Sequence, residues 1–312
     1  MSSVSKSAGA VPVHKSKAKA AQTRRGLLYA LPDWLMIIVL FFVPIVLLVV
    51  MACSRWSLLG GNRGVNFPDN FVKVFENKLF WPSIWFTLEY TVIVTVFLLV
   101  LGLGMAMIVQ ESSKWNNVLR TCFLLPSATG LASASLLFYA LYSPQVGPVT
   151  KILSSLGLRQ EGGSVLATGQ SALWATIIVI VWRFSGYYML LMMIGLQAIP
   201  GDLYEAARMD GAGSWRIFRS ITLPLMKTIL ITMFILNVGR LLSLGFEKVL
   251  LLQTELNKAT SDIIAVYVYE QGIINAKYSY STAVGLFNTV VNIILLIIVN
   301  RIAKKAADVS FV

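Results

Sequence analysis

Pro200-Gly201-Asp202-Leu203-Tyr204-Glu205-Ala206-Ala207-Arg208-Met209-Asp210-Gly211, continued by AGSWRIFRSITLP as far as Pro224, stands between two apolar runs at 171–195 and 225–246. Asp202 followed three residues later by Glu205 has the spacing of a capping box, and Gly211 after Asp210 supplies a helix stop that tolerates positive φ. A short helix is predicted. Ser214 is placed to cap a second one through Trp215, Ile217 and Phe218, which Thr222-Leu223-Pro224 closes, with Pro224 in the first turn of the next apolar helix. Ala206 and Ala207 have almost no side chain, so a partner surface can approach closely, and Glu205, Arg208 and Asp210 can fix its orientation. Two readings remain open on physics alone. The element is either a docking knob for another protein or an amphipathic helix resting on lipid headgroups, anchored by Trp215, Phe218 and the arginines.

Outward from this loop the chain is too apolar for a soluble domain: 57% of its 312 residues are hydrophobic and 13% charged, against roughly 25% charged in ordinary soluble domains. A bilayer core needs about 20 consecutive apolar residues per helix. Runs of that order occur at 34–53, 84–109, 119–142, 171–195, 225–246 and 281–300, which predicts an all-α polytopic protein with six transmembrane helices. The first run exceeds the roughly 7–15 residues of a signal-peptide core and is read as an uncleaved span. With both termini cytoplasmic, the inner segments carry 15 Lys and Arg and the outer ones 9, the asymmetry of positive-inside topology. The net charge of +12 therefore serves orientation, and no nucleic-acid partner is expected. Residues 1–30 read as a basic disordered cytoplasmic tail and 31–83 as the first span with its outer loop. Residues 84–305 read as a core holding the cytoplasmic loop 200–224, and 306–312 as a short tail inside.

The run EAARMDGAGSWRIFRSITLP, residues 205–224, resembles the EAA signature of binding-protein-dependent ABC importer permeases: Glu-Ala-Ala, an Asp-Gly-Ala turn, then Ile, one residue and Leu-Pro. The resemblance covers about residues 84–305 and implies the type I ABC importer transmembrane-domain fold. In that family the element is the coupling helix, seated in a cleft of a separate nucleotide-binding subunit. By resemblance Glu205, Ala206, Ala207, Asp210, Gly211, Leu223 and Pro224 take ATPase-coupling roles. The stretches NVGRLLSLGFEKVLLL and SDIIAVYVYEQGI, with the last span, are similar to the carbohydrate branch, the LplB-like and UgpA-like oligosaccharide permeases. That implies a bacterial plasma-membrane subunit working with a second homologous permease, two ATP-binding subunits and an extracytoplasmic solute-binding protein on a carbohydrate substrate.

The chain contains no Gly-x4-Gly-Lys-Ser/Thr phosphate loop, so ATP hydrolysis falls to a partner and no enzymatic activity or cofactor is expected. The single histidine, His14, lies in the N-terminal tail, and Cys53 and Cys122 have no metal or redox spacing and read as small core residues. An ion-coupled transporter or channel is the alternative, but it calls for a mid-span carboxylate, and Glu89 and Glu247 sit toward span ends. Arg183 and Arg240 do lie within spans, where a cation costs about 2.5–3.5 kcal/mol unless it faces protein or water. They read either as partners of backbone carbonyls and helix ends or, with Tyr187, Tyr188, Asn237 and Asn288, as the substrate path. Asn288 and Asn292 share a helix face, and interhelical hydrogen bonding explains that pair equally well.

Overall fold

The computed structural model describes residues 17–157, 165–166, 169–239, 252 and 262–307. Two compact units part between Val50 and Met51. In the first, α1 (Lys17–Ile37) passes through a π turn at Ile38–Phe42 into α2 (Val43–Ala52). The helix begins inside the stretch read from sequence as a tail. From Gly26 to Ala52 it is long and apolar enough to cross a bilayer, and its large side chains are exposed on every face, as suits a helix surrounded by lipid. The π turn has a covalent cause. Pro44 lacks an N–H and its ring crowds the carbonyl four residues back, so the ladder slips by one and the Val43 N–H donates to the Ile38 carbonyl.

The second unit opens with an antiparallel hairpin, β1 (Ser54–Ser57) and β2 (Gly61–Val65), with Trp56 opposite Asn62 and Ser57 opposite Gly61. Next comes α3 (Asp69–Glu76), then the long α4 (Phe80–Val109), α5 (Lys114–Ala128), α6 (Leu131–Leu141) and α7 (Pro148–Ser155). The chain continues through α8 (Gly169–Gln197), α9 (Gly201–Met209), α10 (Ser214–Ile217) and α11 (Leu223–Gly239), and ends with α12 (Ile264–Tyr269) and α13 (Tyr278–Ala307).

The centre is the α4–α8 pair, where Tyr90, Val94, Leu98 and Ala106 meet Leu173, Ile177, Ile180, Met189 and Met192. Small residues set the approach of the helices, the usual device where lipid removes the hydrophobic drive for association. A Cβ added at Gly102 of α4 would lie 2.8 Å from the Tyr188 Cβ, and one added at Gly186 of α8 would collide with the Phe123 carbonyl of α5. Ser83, Thr87, Thr91 and Thr95 recur every fourth residue of α4, all buried. The Thr87 hydroxyl donates to the Ser83 carbonyl and accepts from the Ile264 N–H at 2.8 Å, tying α12 to α4.

Among the described residues, five helices can cross a bilayer unbroken, and α5 with α6 supplies a sixth only as a pair bent by 96°. The single span expected over 119–142 is therefore replaced by a broken one. Pro126 in the last turn of α5 and Gly130 at the start of α6 are the breakers, hidden in sequence by the apolar residues around them. The loop 54–83 holds a hairpin as well as a helix, and α7 stands between α6 and α8, with Gly147 and Pro148 opening it as N-cap and N1 residues. The fifth membrane helix begins at Ser214, earlier than the apolar run suggests, and residues 240–246 of that run lie outside the described residues. Cys53 is half-buried and Cys122 exposed, so Cys122 is not a core residue.

Candidate functional site

α9 follows α8 after Pro200, which is its N-cap without a side-chain hydrogen bond. The expected capping box is absent because the helix starts one residue ahead of Asp202. Asp202 sits in the first turn and Arg208 in the last, where each complements the helix dipole. The C-terminus is closed by backbone alone. The Gly211 N–H donates to the Arg208 carbonyl and the Ala212 N–H to the Ala207 carbonyl, both at 3.0 Å, with Gly211 at φ +74°. This is a Schellman closure, and it needs a left-handed residue at the glycine's position. Gly213, rather than Ser214, caps α10.

Thr222-Leu223-Pro224 does not close α10. Phe218–Thr222 form a π turn in which the Leu223 N–H donates to the Phe218 carbonyl, and α11 follows without interruption. Pro224 acts here as Pro44 does in the first span, displacing the ladder one residue ahead of itself. One helix therefore runs from Ser214 to Gly239.

Of the coupling residues inferred from sequence, Glu205, Ala206, Asp210, Gly211, Leu223 and Pro224 are exposed and Ala207 is half-buried. No residue of α9 is buried at all. Met209 is 89% and Trp215 72% exposed. A nine-residue helix in which only Tyr204 and Ala207 are half-buried is too short to persist on propensity and depends on tertiary ties. One internal tie, not legible in the sequence, is the Tyr204 hydroxyl at 3.3 Å from that of buried Thr222, which links α9 to the π turn. Phe218, Leu223 and Leu230 then close an apolar groove of about 450 Å³ against Leu99, Leu103 and Met107 of α4.

Among the residues inferred for a substrate path, the structure joins Tyr188 and Asn237. The Tyr188 hydroxyl donates to Asn237 Oδ1 at 2.6 Å, and Asn237 Nδ2 donates to the Met233 carbonyl at 3.0 Å, so α8 is bonded to α11 in the buried interior. Tyr187 stands beside them, 46% exposed, its ring edge-on to Tyr188 at 5.9 Å. Arg183 points elsewhere. Its Nε and Nη2 donate to the Thr129 carbonyl at 3.3 and 3.0 Å, at the C-terminal end of α5, and its guanidinium lies over the Phe184 ring at 4.8 Å. Asn288 is 1% exposed, and neither atom of its amide has a hydrogen-bond partner among the described residues. Asn292, one turn on, donates to the Gly239 carbonyl at 3.2 Å. Arg240 and Glu247 lie outside the described residues.

Residues 98–308 match the family described as binding-protein-dependent transport system inner membrane component. The chain is 33% identical over 242 residues to protein LplB of Bacillus subtilis, spanning 76% of this chain and 74% of that one. It is 36% identical over 230 residues to the trehalose/maltose transport system permease protein MalF of Thermococcus litoralis, spanning 71% and 75%. In structure it is similar to a chain of a bacterial alginate ABC transporter solved in complex with an alginate pentasaccharide-bound periplasmic protein. The TM-score there is 0.83 at 25% identity, over 95% of this chain and all of that one.

Proposed function

The chain belongs to the family of binding-protein-dependent transport system inner membrane components, and we propose that it is a permease subunit lining half of an ATP-driven import path for a carbohydrate, most naturally an oligosaccharide. Its membership makes it a multi-pass membrane protein of a binding-protein- and ATPase-dependent system, with hydrolysis carried out by a separate partner. Relatives that carry trehalose or maltose and a neighbour that carries alginate support the sugar. An ion-coupled carrier is not favoured by this kinship.

The observation that carries the mechanism is α9: nine helical residues, none buried, closed by Gly211 and joined through a short turn to a helix that crosses the bilayer. In this reading α9 docks in a cleft of an ATP-binding subunit, Glu205 and Asp210 orient it, and Ala206 and Ala207 allow close approach. A second homologous permease completes the path, two ATP-binding subunits drive it, and both termini lie in the cytoplasm. When the ATPase pair closes on ATP, α9 moves with it. The Tyr204–Thr222 contact and the short turn carry the displacement into α10 and α11, the apolar groove passes it to α4, and the Tyr188–Asn237 bond passes it to α8. Tyr187, Tyr188 and Asn237 border the path, an aromatic face and planar amide suited to sugar, with Arg240 and Asn288 as further candidates around it, while Arg183 braces α5.

The test is co-purification. Glu205→Lys should leave the subunit inserted while reducing recovery of the ATPase partner and abolishing ligand-stimulated hydrolysis. Full recovery with full stimulated activity would remove α9 from the docking role.

A further inference from the structure

Between β1, α3 and the turn that precedes α13 lies an open pocket of about 600 Å³, within the range of small-molecule sites. Its walls are set by buried amides. Asn70 Nδ2 donates to the carbonyls of Ala52 and Ser54 at 2.8 and 3.0 Å, its Oδ1 accepts from Asn66 Nδ2 at 2.8 Å, and Asn66 Oδ1 accepts from Arg55 Nε at 2.8 Å. The Trp56 N–H donates to the Ser279 hydroxyl at 2.6 Å, pinning the hairpin to the first turn of α13. Arg55 is thus held through Nε, while its Nη2 lies 4.0 Å from Asp69 Oδ2.

Three cations line the pocket, Arg55, Lys73 and Lys277, against one carboxylate, Glu76, beside the aromatic rings of Trp56 and Tyr278. Among the described residues the one salt bridge joins Arg55 to Asp69 at 4.0 Å, so neither lysine is neutralised by an ion pair. α3 decides which way the pocket faces. Phe75 packs its ring on Trp81 and Phe287, at 5.9 and 5.1 Å, beside the ends of the spans. Asn70, Lys73 and Asn77 follow at the i, i+3, i+7 spacing of the other face. Phe75 thus faces Trp81 and Phe287, while Lys73 and Lys277 are exposed.

We propose that this pocket is a subsite for the carboxylate-bearing unit of an acidic saccharide, a uronate, on the outer face of the transporter. The inference rests on the carbohydrate reading above and on the outward orientation of the loop between the first two spans. Lys73 and Lys277 hold the carboxylate from opposite walls, and Arg55 adds charge-assisted donors. Trp56 and Tyr278 offer faces to the sugar ring, and Glu76 accepts from a hydroxyl.

The experiment uses the assembled transporter in nanodiscs, without its binding protein, titrated calorimetrically with trigalacturonate and with galactotriose at low and high salt. Trigalacturonate should bind at least about tenfold more tightly than galactotriose, and high salt should remove the difference. Lys73→Gln combined with Lys277→Gln should weaken trigalacturonate about tenfold, while Lys78→Gln, which removes an exposed lysine outside the pocket, should not. Absent or equal binding of the two sugars, or binding indifferent to the double substitution, overturns the proposal. It is overturned equally if the double substitution weakens docking of the unliganded binding protein while no uronate binds, because the pocket then serves protein. The ligand of the purified binding protein separates the two readings. If that ligand is no saccharide, the carbohydrate assignment fails; if it is one and the pocket ignores uronate, only the subsite fails.

Discussion

Gly211 has open space where a side chain would go, with nothing within 4 Å of an added Cβ, yet its φ is +74°. Any substitution there is penalised by backbone alone, by about 1–2 kcal/mol for an ordinary L-residue and least for Asn. Gly211→Asn should therefore retain most ligand-stimulated ATPase activity, Gly211→Ala should lose part and Gly211→Val most, all at undiminished insertion; equal activity across the three would remove the left-handed turn from the mechanism. Arg183 carries a different prediction. It caps the last turn of α5 through the Thr129 carbonyl, so Arg183→Gln should lower the thermal stability of the purified complex, with uptake falling only in proportion to complex yield. A charge-assisted bond of this kind contributes about 1.5–3 kcal/mol when buried, and the partial exposure of Arg183 places it at the low end. Uptake lost at full yield would assign it to the substrate instead. The sequence marked Gly211 clearly, because a glycine after a predicted helix has one main use. It left Arg183 with two roles, since the acceptor that distinguishes them is a backbone carbonyl 54 residues away.

Helices were legible where apolar length alone decided them and misjudged where proline did. Prolines favour first turns, which predicts Pro224 at the start of a span, but a π turn absorbs it in mid-helix, as another does ahead of Pro44. Pro126 and Gly130 break a run whose hydropathy looked continuous. Neither outcome follows from the residue itself, because tertiary packing decides whether a proline starts, bends or breaks a helix. The π turn at Phe218–Thr222 yields a prediction of its own. Pro224→Ala permits ordinary i→i−4 bonding, which removes the extra residue from the turn and rotates everything before it by about 100° relative to α11. α9 should then meet its partner with the wrong face. Complex yield should hold while ligand stimulation of hydrolysis falls about tenfold, near the upper range of coupling changes caused by single residues; unchanged stimulation would show that the π turn is incidental.

At the scale of the whole chain, Lys and Arg concentrate in the segments assigned to the cytoplasm, 15 against 9, and membrane orientation follows that bias. A cytoplasm-active reporter should work when fused after Gly213 or Lys305, and an export-active one after Gly157; the reverse at any site would invert the topology. Those same counts conceal the pocket, because Arg55 and Lys73 come from one inter-span loop and Lys277 from another, and only folding gathers them. The helix from Ser214 to Gly239 has 26 residues and, at 1.5 Å each, is about 39 Å long. A rod of that length has no slack to absorb a stroke, apart from the single wide turn at Phe218–Thr222. If α9 docks on the ATPase as proposed, that turn is the clutch of the machine, and its stiffness would set how much ATP is spent without moving cargo.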